Sequence, residues 1–221
     1  MSTFLPSIPL PQALRRIPRG ALLSLVAVNI VIPFVGLSVF GWDATTLLFV
    51  YWSENIVVMF YALLRMAFSK TAANITVNGR KLPITLATTK LFGLLFFTVH
   101  FGIFALGHLG FLTLLFATQP FSVYLNAMLI GAPLLLVSHG TSFVQNFWKR
   151  ERFTVPANEL MAKPYARIVP IHIAIILGGF FTAGITAPIV GVVVLSIVKL
   201  LLDITLHASA HIKRESTRPQ V

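Results

Sequence analysis

The sequence predicts an all-α, polytopic membrane protein of about six transmembrane helices with both termini on the cytoplasmic side. Three observations carry that expectation. Of the 221 residues, 57% are hydrophobic and only 10% charged, whereas a soluble domain carries about 25% charged residues. Apolar segments of close to the ~20 residues that cross a bilayer recur along the chain. Lys and Arg gather in alternate connections between those segments. Cysteine is absent, which excludes disulfides, Cys zinc sites, iron–sulfur clusters and catalytic thiols.

Residues 1–19 read as a cytosolic tail. Their basic group, Arg15, Arg16 and Arg19, sits behind a Pro-rich stretch, and no signal-cleavage pattern follows the next apolar run. Spans are expected at 20–40, 44–67, 90–117, 122–147, 167–185 and 187–211, forming one domain over 20–211 with a second cytosolic tail at 212–221. The third is long for a ~30 Å hydrocarbon core and should tilt. Between the second and third, Asn78-Gly79 lies between β-prone residues and signals a type I′ hairpin. "VPANELMAKPY" suits a turn of interfacial helix. Gly102, Gly107, Gly110, Gly178 and Gly179 are expected to let helices approach closely.

The orientation follows from the 17 Lys and Arg. Arg15, Arg16 and Arg19 precede span one; Arg65, Lys70, Arg80, Lys81 and Lys90 lie at or between the ends of spans two and three. Lys149, Arg150, Arg152, Lys163 and Arg167 lie between four and five, and Lys213, Arg214 and Arg218 follow six. The connections "GWD", "ATQPFS" and "GITAP" carry none, so only Lys199 departs from one side. The positive-inside rule then places both termini in the cytoplasm of a cell inner membrane. The net charge of +11 is assigned to topology and anionic headgroups, with no role in binding nucleic acid.

Ionisable residues inside a membrane are costly and point to function. Glu54, His100, His108, His139, His172, Lys199, Asp203, His207 and His211 all fall within or at the end of an expected span. At 1.5 Å per residue, His100 lies roughly 15 Å from the inner end of its span, His139 roughly 12 Å, His172 roughly 8 Å and His207 roughly 6 Å. Glu54 is near mid-membrane, and His108 alone is clearly in the outer half. In "KLLLDITLHASAH", Lys199, Asp203, His207 and His211 recur every fourth residue, a stripe that drifts by about 40° per step on one helix face. His at i and i+4 is a workable metal-chelating spacing. Ser142 and Asn146 share a face with His139 and suit the orientation of ligands. Lys199 has two candidate partners, Asp203 on its own helix and Glu54 on another. His108 reads as a hydrogen-bonded helix contact, and His211 as either a ligand or an interfacial histidine.

The blocks "YWSEN" (51–55), "VHFGIFALGHLGFL" (99–112), "SHGTSFVQNF" (138–147), "PYARIVPIH" (164–172) and "KLLLDITLHASAH" (199–211) resemble those of an uncharacterised prokaryotic integral-membrane family, catalogued as domain of unknown function 6498. The resemblance spans about residues 22–211 and implies a compact multi-span protein, without an activity. His207-x-x-x-His211 is also similar to the last-helix histidine pair of the alkaline ceramidase and progestin/adiponectin-receptor superfamily of membrane zinc hydrolases. Phe96 and Phe104 stand where that superfamily's helix would require Ser and Asp around His100, so homology is not inferred.

The leading expectation is a metal site in the cytosolic half of the bilayer. Its ligands would come from His100, His139, His172, Asp203, His207 and His211, with Glu54 and Asp203 as catalytic carboxylates. The metal would be a divalent zinc, iron or manganese, and the substrate a lipid-soluble molecule entering from the bilayer. A proton- or metal-coupled transporter, a single-haem b-type cytochrome and a structural membrane subunit are the alternatives.

Overall fold

The computed structural model describes residues 27–71, 76–77, 80–81, 85–165, 176, 190 and 193–201. These residues are helical but for one short ribbon and the connections between elements. Helix α1, Ile32–Phe40, continues a π-helical turn at Ala27–Val31. Helix α2 is Ala44–Phe68, α3 is Leu86–Phe116 and α4 is Phe121–Ser142. A π-helical segment, Phe143–Glu151, and a last turn, Arg152–Thr154, prolong α4. Further helical segments at 157–165 (α5) and 193–201 (α6) complete the described set. Ala44–Phe68, Leu86–Phe116 and Phe121–Thr154 are each long and apolar enough to cross a membrane.

Local chemistry sets the ends of these helices. Gly41 adopts the left-handed conformation (φ 65°) that stops α1. The Gly41 and Trp42 amides both donate to the carbonyl of Gly36, Trp42 at 3.0 Å. Gly36 is required there, because a Cβ would overlap the Trp42 ring. Asp43 then caps α2, its Oδ1 accepting from the Thr46 amide at 2.7 Å. Thr85 caps α3 by accepting from the Thr88 amide at 3.1 Å. Between α2 and α3, β1 (Thr76–Val77) pairs antiparallel with β2 (Arg80–Lys81), with Val77 opposite Arg80. That is the ribbon expected around Asn78-Gly79. Helix α3 has 31 residues, about 46 Å, which exceeds a ~30 Å core as the sequence indicated.

Helix α2 is the centre of the bundle. Its residues from Thr46 to Asn55 are all buried. Side-chain pairs along it give the direction of each neighbour. Phe49 stacks on Tyr124 (4.1 Å between ring centres). Farther along, Tyr61 donates to the Leu136 carbonyl at 2.9 Å and Arg65 reaches Glu151 at 3.3 Å. The numbers rise together, so α4 runs parallel to α2. Trp52 Nε1 donates to the Ala105 carbonyl at 3.0 Å, while Met66 meets Gly93. There the numbers oppose, so α3 runs antiparallel. Tyr51 pairs with Ser196 at 3.4 Å and Glu54 with Lys199 at 2.8 Å, which makes α6 parallel to α2.

Close approaches occur at Gly131, where a Cβ would meet Val50 Cγ1 at 3.0 Å, and at Gly140, where it would meet the Tyr61 hydroxyl at 2.7 Å. Of the five glycines expected to let helices approach, Gly178 and Gly179 lie outside the described residues, and Gly102, Gly107 and Gly110 make no close approach among the described ones. A Cβ at any of the three meets nothing within 4 Å among the described residues. The glycines that let helices approach are those of α4 facing α2.

Candidate functional site

Glu54 sits halfway along α2, on a stretch whose every side chain from Tyr51 to Asn55 is buried. A lone carboxylate there would carry a desolvation penalty of several kcal/mol or more. Two neighbours offset it. Lys199 of α6 places Nζ 2.8 Å from Glu54 Oε2, both side chains 3% exposed. His139 of α4 places Nε2 3.5 Å from Oε1. Glu54 therefore bridges two basic groups, one on each oxygen. Of the two partners the sequence allowed for Lys199, the structure gives it Glu54. Asp203, the other, lies outside the described residues.

The lysine is held by more than charge. Its ammonium lies 5.0 Å from the centre of the Tyr51 ring, a cation–π distance. One turn back on each helix, the Tyr51 hydroxyl meets Ser196 Oγ at 3.4 Å. Tyr51 and Glu54 are three apart on α2, Ser196 and Lys199 three apart on α6. Each pair therefore shares a face, and the two faces dock in register.

The histidine is oriented by its backbone contact. His139 Nδ1 lies 3.1 Å from the Leu135 carbonyl, one turn earlier on α4. A carbonyl only accepts, so Nδ1 carries a proton and donates. Nε2 is the nitrogen left to face Glu54. The Tyr61 ring, stacked 6.4 Å from the imidazole, closes this side. Next to Glu54, Asn55 is 1% exposed, and among the described residues neither its Nδ2 nor its Oδ1 has a hydrogen-bond partner. A buried amide with both ends unmet is rare and marks a place for water or a polar ligand.

The other expected site residues divide into two groups. His100 is on an exposed face of α3, its ring 5.3 Å from Phe96 and 5.7 Å from Tyr165. It is not part of the Glu54 contact. His108 is buried and edge-on to Phe104 and Phe111 of its own helix. Asn146 donates to Ser142 at 3.2 Å, so these two bond to each other. His172, Asp203, His207 and His211 lie outside the described residues. Among the described residues, no group of three His, Asp or Glu side chains is arranged to hold a metal ion. Sequence reading named each member of the Lys199–Glu54–His139 set but not the set itself. The signal that could have assembled it is depth: Glu54 reads as near mid-membrane and His139 as roughly 12 Å from the inner end of its span.

No curated protein and no solved structure matches the chain. Residues 12–220 match a family of unknown function, DUF6498, which is nearly the whole chain, from before α1 to beyond α6. The protein is therefore a member of the DUF6498 family.

Proposed function

We propose that this protein spans the cytoplasmic membrane of a cell about six times, with both termini inside. In this reading its Lys199–Glu54–His139 set is the proton-handling centre of a proton-coupled carrier. The helix directions support the topology. Helices α2, α4 and α6 point the same way and α3 the opposite way, as alternate crossings of one bilayer would. At one end of the bundle lie Arg65, Lys70, Lys90, Lys149, Arg150, Arg152 and Lys163. The connections at the other end, 41–43 and 117–120, hold no basic residue.

The observation that carries the function is Glu54 bridged between a lysine and a histidine inside the apolar bundle. Intramembrane carboxylates and histidines are the groups that proton relays use. Lys199 neutralises Glu54 while His139 lacks its second proton. When a proton enters the His139–Glu54 contact the set gains one positive charge. That gain is a state change with a large energetic consequence in a low-dielectric interior. Asp203, His207 and His211, four residues apart beyond Lys199, would continue the path toward the basic end. The test is proton flux into proteoliposomes under an imposed potential, read by an internal pH dye. Wild-type flux above that of empty vesicles, abolished by Glu54→Gln, is expected. No flux, or flux untouched by that change, rules the reading out.

A second reading, a metal centre acting on a lipid-soluble substrate, is favoured by one feature. His139 Nδ1 on a backbone carbonyl is the arrangement that orients a ligating Nε2. His172, Asp203, His207 and His211 would supply further ligands for zinc, iron or manganese, with Glu54 as base. The Lys199 ammonium already balances the charge of the Glu54 carboxylate, which places this reading second. Elemental analysis of protein purified without added metal tests it. Stoichiometric metal lost in His139→Ala and His207→Ala supports it, and metal-free active protein excludes it.

A further inference from the structure

We propose that the basic end of the bundle carries a seat for the phosphate headgroup of an anionic phospholipid, formed by Lys70 and Arg152 across the ring of Phe153. The proposal rests on α2 and α4 being membrane spans, and it uses none of the residues of the Glu54 site. Lys70 Nζ lies 5.2 Å from the centre of the Phe153 ring, and Arg152 Cζ lies 4.5 Å from the same centre. Arg152 is also 4.4 Å from the Trp148 ring. Two like charges thus share one aromatic ring.

Neither cation has a carboxylate within 4 Å among the described residues. The one acid on this segment, Glu151, is already engaged, by Arg65 at 3.3 Å and by Lys163 at 3.2 Å. The backbone holds the two cations together. The Lys70 amide donates to the Arg152 carbonyl at 2.7 Å, and Ser69, fully buried, donates to the Val155 carbonyl at 3.3 Å. The pair is therefore built into the fold, and its mutual repulsion is relieved by an anion between the two groups.

The chemistry selects a phosphodiester. A guanidinium stacked on rings keeps its N–H edges for a planar oxygen pair, and an ammonium adds a point charge. The surroundings select a lipid over a soluble phosphate. Phe68, Trp148 and Phe153 are 48%, 39% and 51% exposed at this end. They form an apolar, aromatic shelf of the kind that sits at headgroup level and takes the start of acyl chains.

Native mass spectrometry of the full chain in detergent, offered phosphatidylglycerol and phosphatidylcholine in equal amounts, tests this. Wild type is expected to retain phosphatidylglycerol preferentially. Lys70→Gln should weaken it about fivefold and the Lys70→Gln, Arg152→Gln pair about thirtyfold. Lys149→Gln, an exposed cation on the same segment, should leave it nearly unchanged. Lys70 is exposed, so its variant keeps the test valid even if Arg152→Gln fails to fold. Equal retention of both lipids, or retention by Lys70→Gln equal to wild type, overturns the proposal. Displacement of the lipid by millimolar inorganic phosphate would reassign the seat to a soluble anion. A protein released from membranes without detergent would instead overturn the membrane reading itself.

Discussion

Glu54 Oε2 lies 2.8 Å from Lys199 Nζ, with both side chains 3% exposed and on helices from opposite ends of the chain. Removing one member strips the other buried charge of this partner, a loss of about 3–5 kcal/mol. Removing both leaves two neutral side chains, which cost far less. Glu54→Gln and Lys199→Met should therefore each lower the melting temperature in detergent markedly, and the double variant should recover most of it. A double variant as unstable as the sum of the singles would mean that the two do not act as a pair.

His139 presents Nε2 to Glu54 Oε1 because Nδ1 is committed to Leu135. If that contact takes up the transported proton, wild-type flux should vary with pH. His139→Gln keeps a polar side chain of similar reach but cannot take up a proton. The expected outcome is a flux profile that loses this pH dependence, at reduced rate. A His139→Gln profile with the wild-type pH dependence would move the titrating group elsewhere.

The second, third and fourth spans are legible because bilayer-length apolar runs ending in Gly, Asp, Pro or basic residues leave little ambiguity, whereas the expected span 167–185 and most of 187–211 lie outside the described residues. The expected 44–67 became Ala44–Phe68, and 90–117 became Leu86–Phe116. The 122–147 span starts at Phe121 as an α-helix but passes into π-helix at Phe143. No apolar pattern marks that change, because a widened turn alters hydrogen bonding and not composition. The site was legible as a list of residues and their depths. Which histidine faces which carboxylate was not. Helix α3 is apolar on nearly every side, so nothing in its periodicity could show that His100 turns away from Glu54. Likewise, i and i+4 spacing offers Asp203 to Lys199 by local geometry, whereas the Glu54 contact depends on how α6 docks against α2.

Gly36 and Gly107 give a contrast between a packed glycine and an open one. A Cβ on Gly36 would overlap the Trp42 ring, which is itself stacked on Phe40 at 5.8 Å between ring centres. At Gly107 no described atom lies within 4 Å. Gly36→Ala should destabilise by about 1–3 kcal/mol, the usual range for overpacking. Gly107→Ala should be neutral or stabilising by a few tenths to about 1 kcal/mol through helix propensity. Thermal melts of the two variants side by side check the contrast, and equal melting points would refute it.

Tyr124 closes the turn between α3 and α4. Its ring is fully buried against Phe49, and its hydroxyl accepts from the amides of Thr118 at 2.9 Å and Gln119 at 3.0 Å. Tyr124→Phe keeps the ring and removes the only acceptor that those amides are given in this turn. Each orphaned amide costs about 1–3 kcal/mol if water cannot reach it, and less where it can. Thr118 and Gln119 are exposed, so water can reach their amides and the expected loss is at the lower end, about 2 kcal/mol for the two amides together. By comparison, Trp52→Phe should cost about 1 kcal/mol in lost hydrogen bonding, since it orphans no donor. Hydrogen exchange separates this account from a general packing defect. In Tyr124→Phe, exchange should accelerate at Thr118 and Gln119 while the α2 amides around Glu54 stay protected. Acceleration spread evenly over both regions would show that the hydroxyl supports the whole bundle and not this turn.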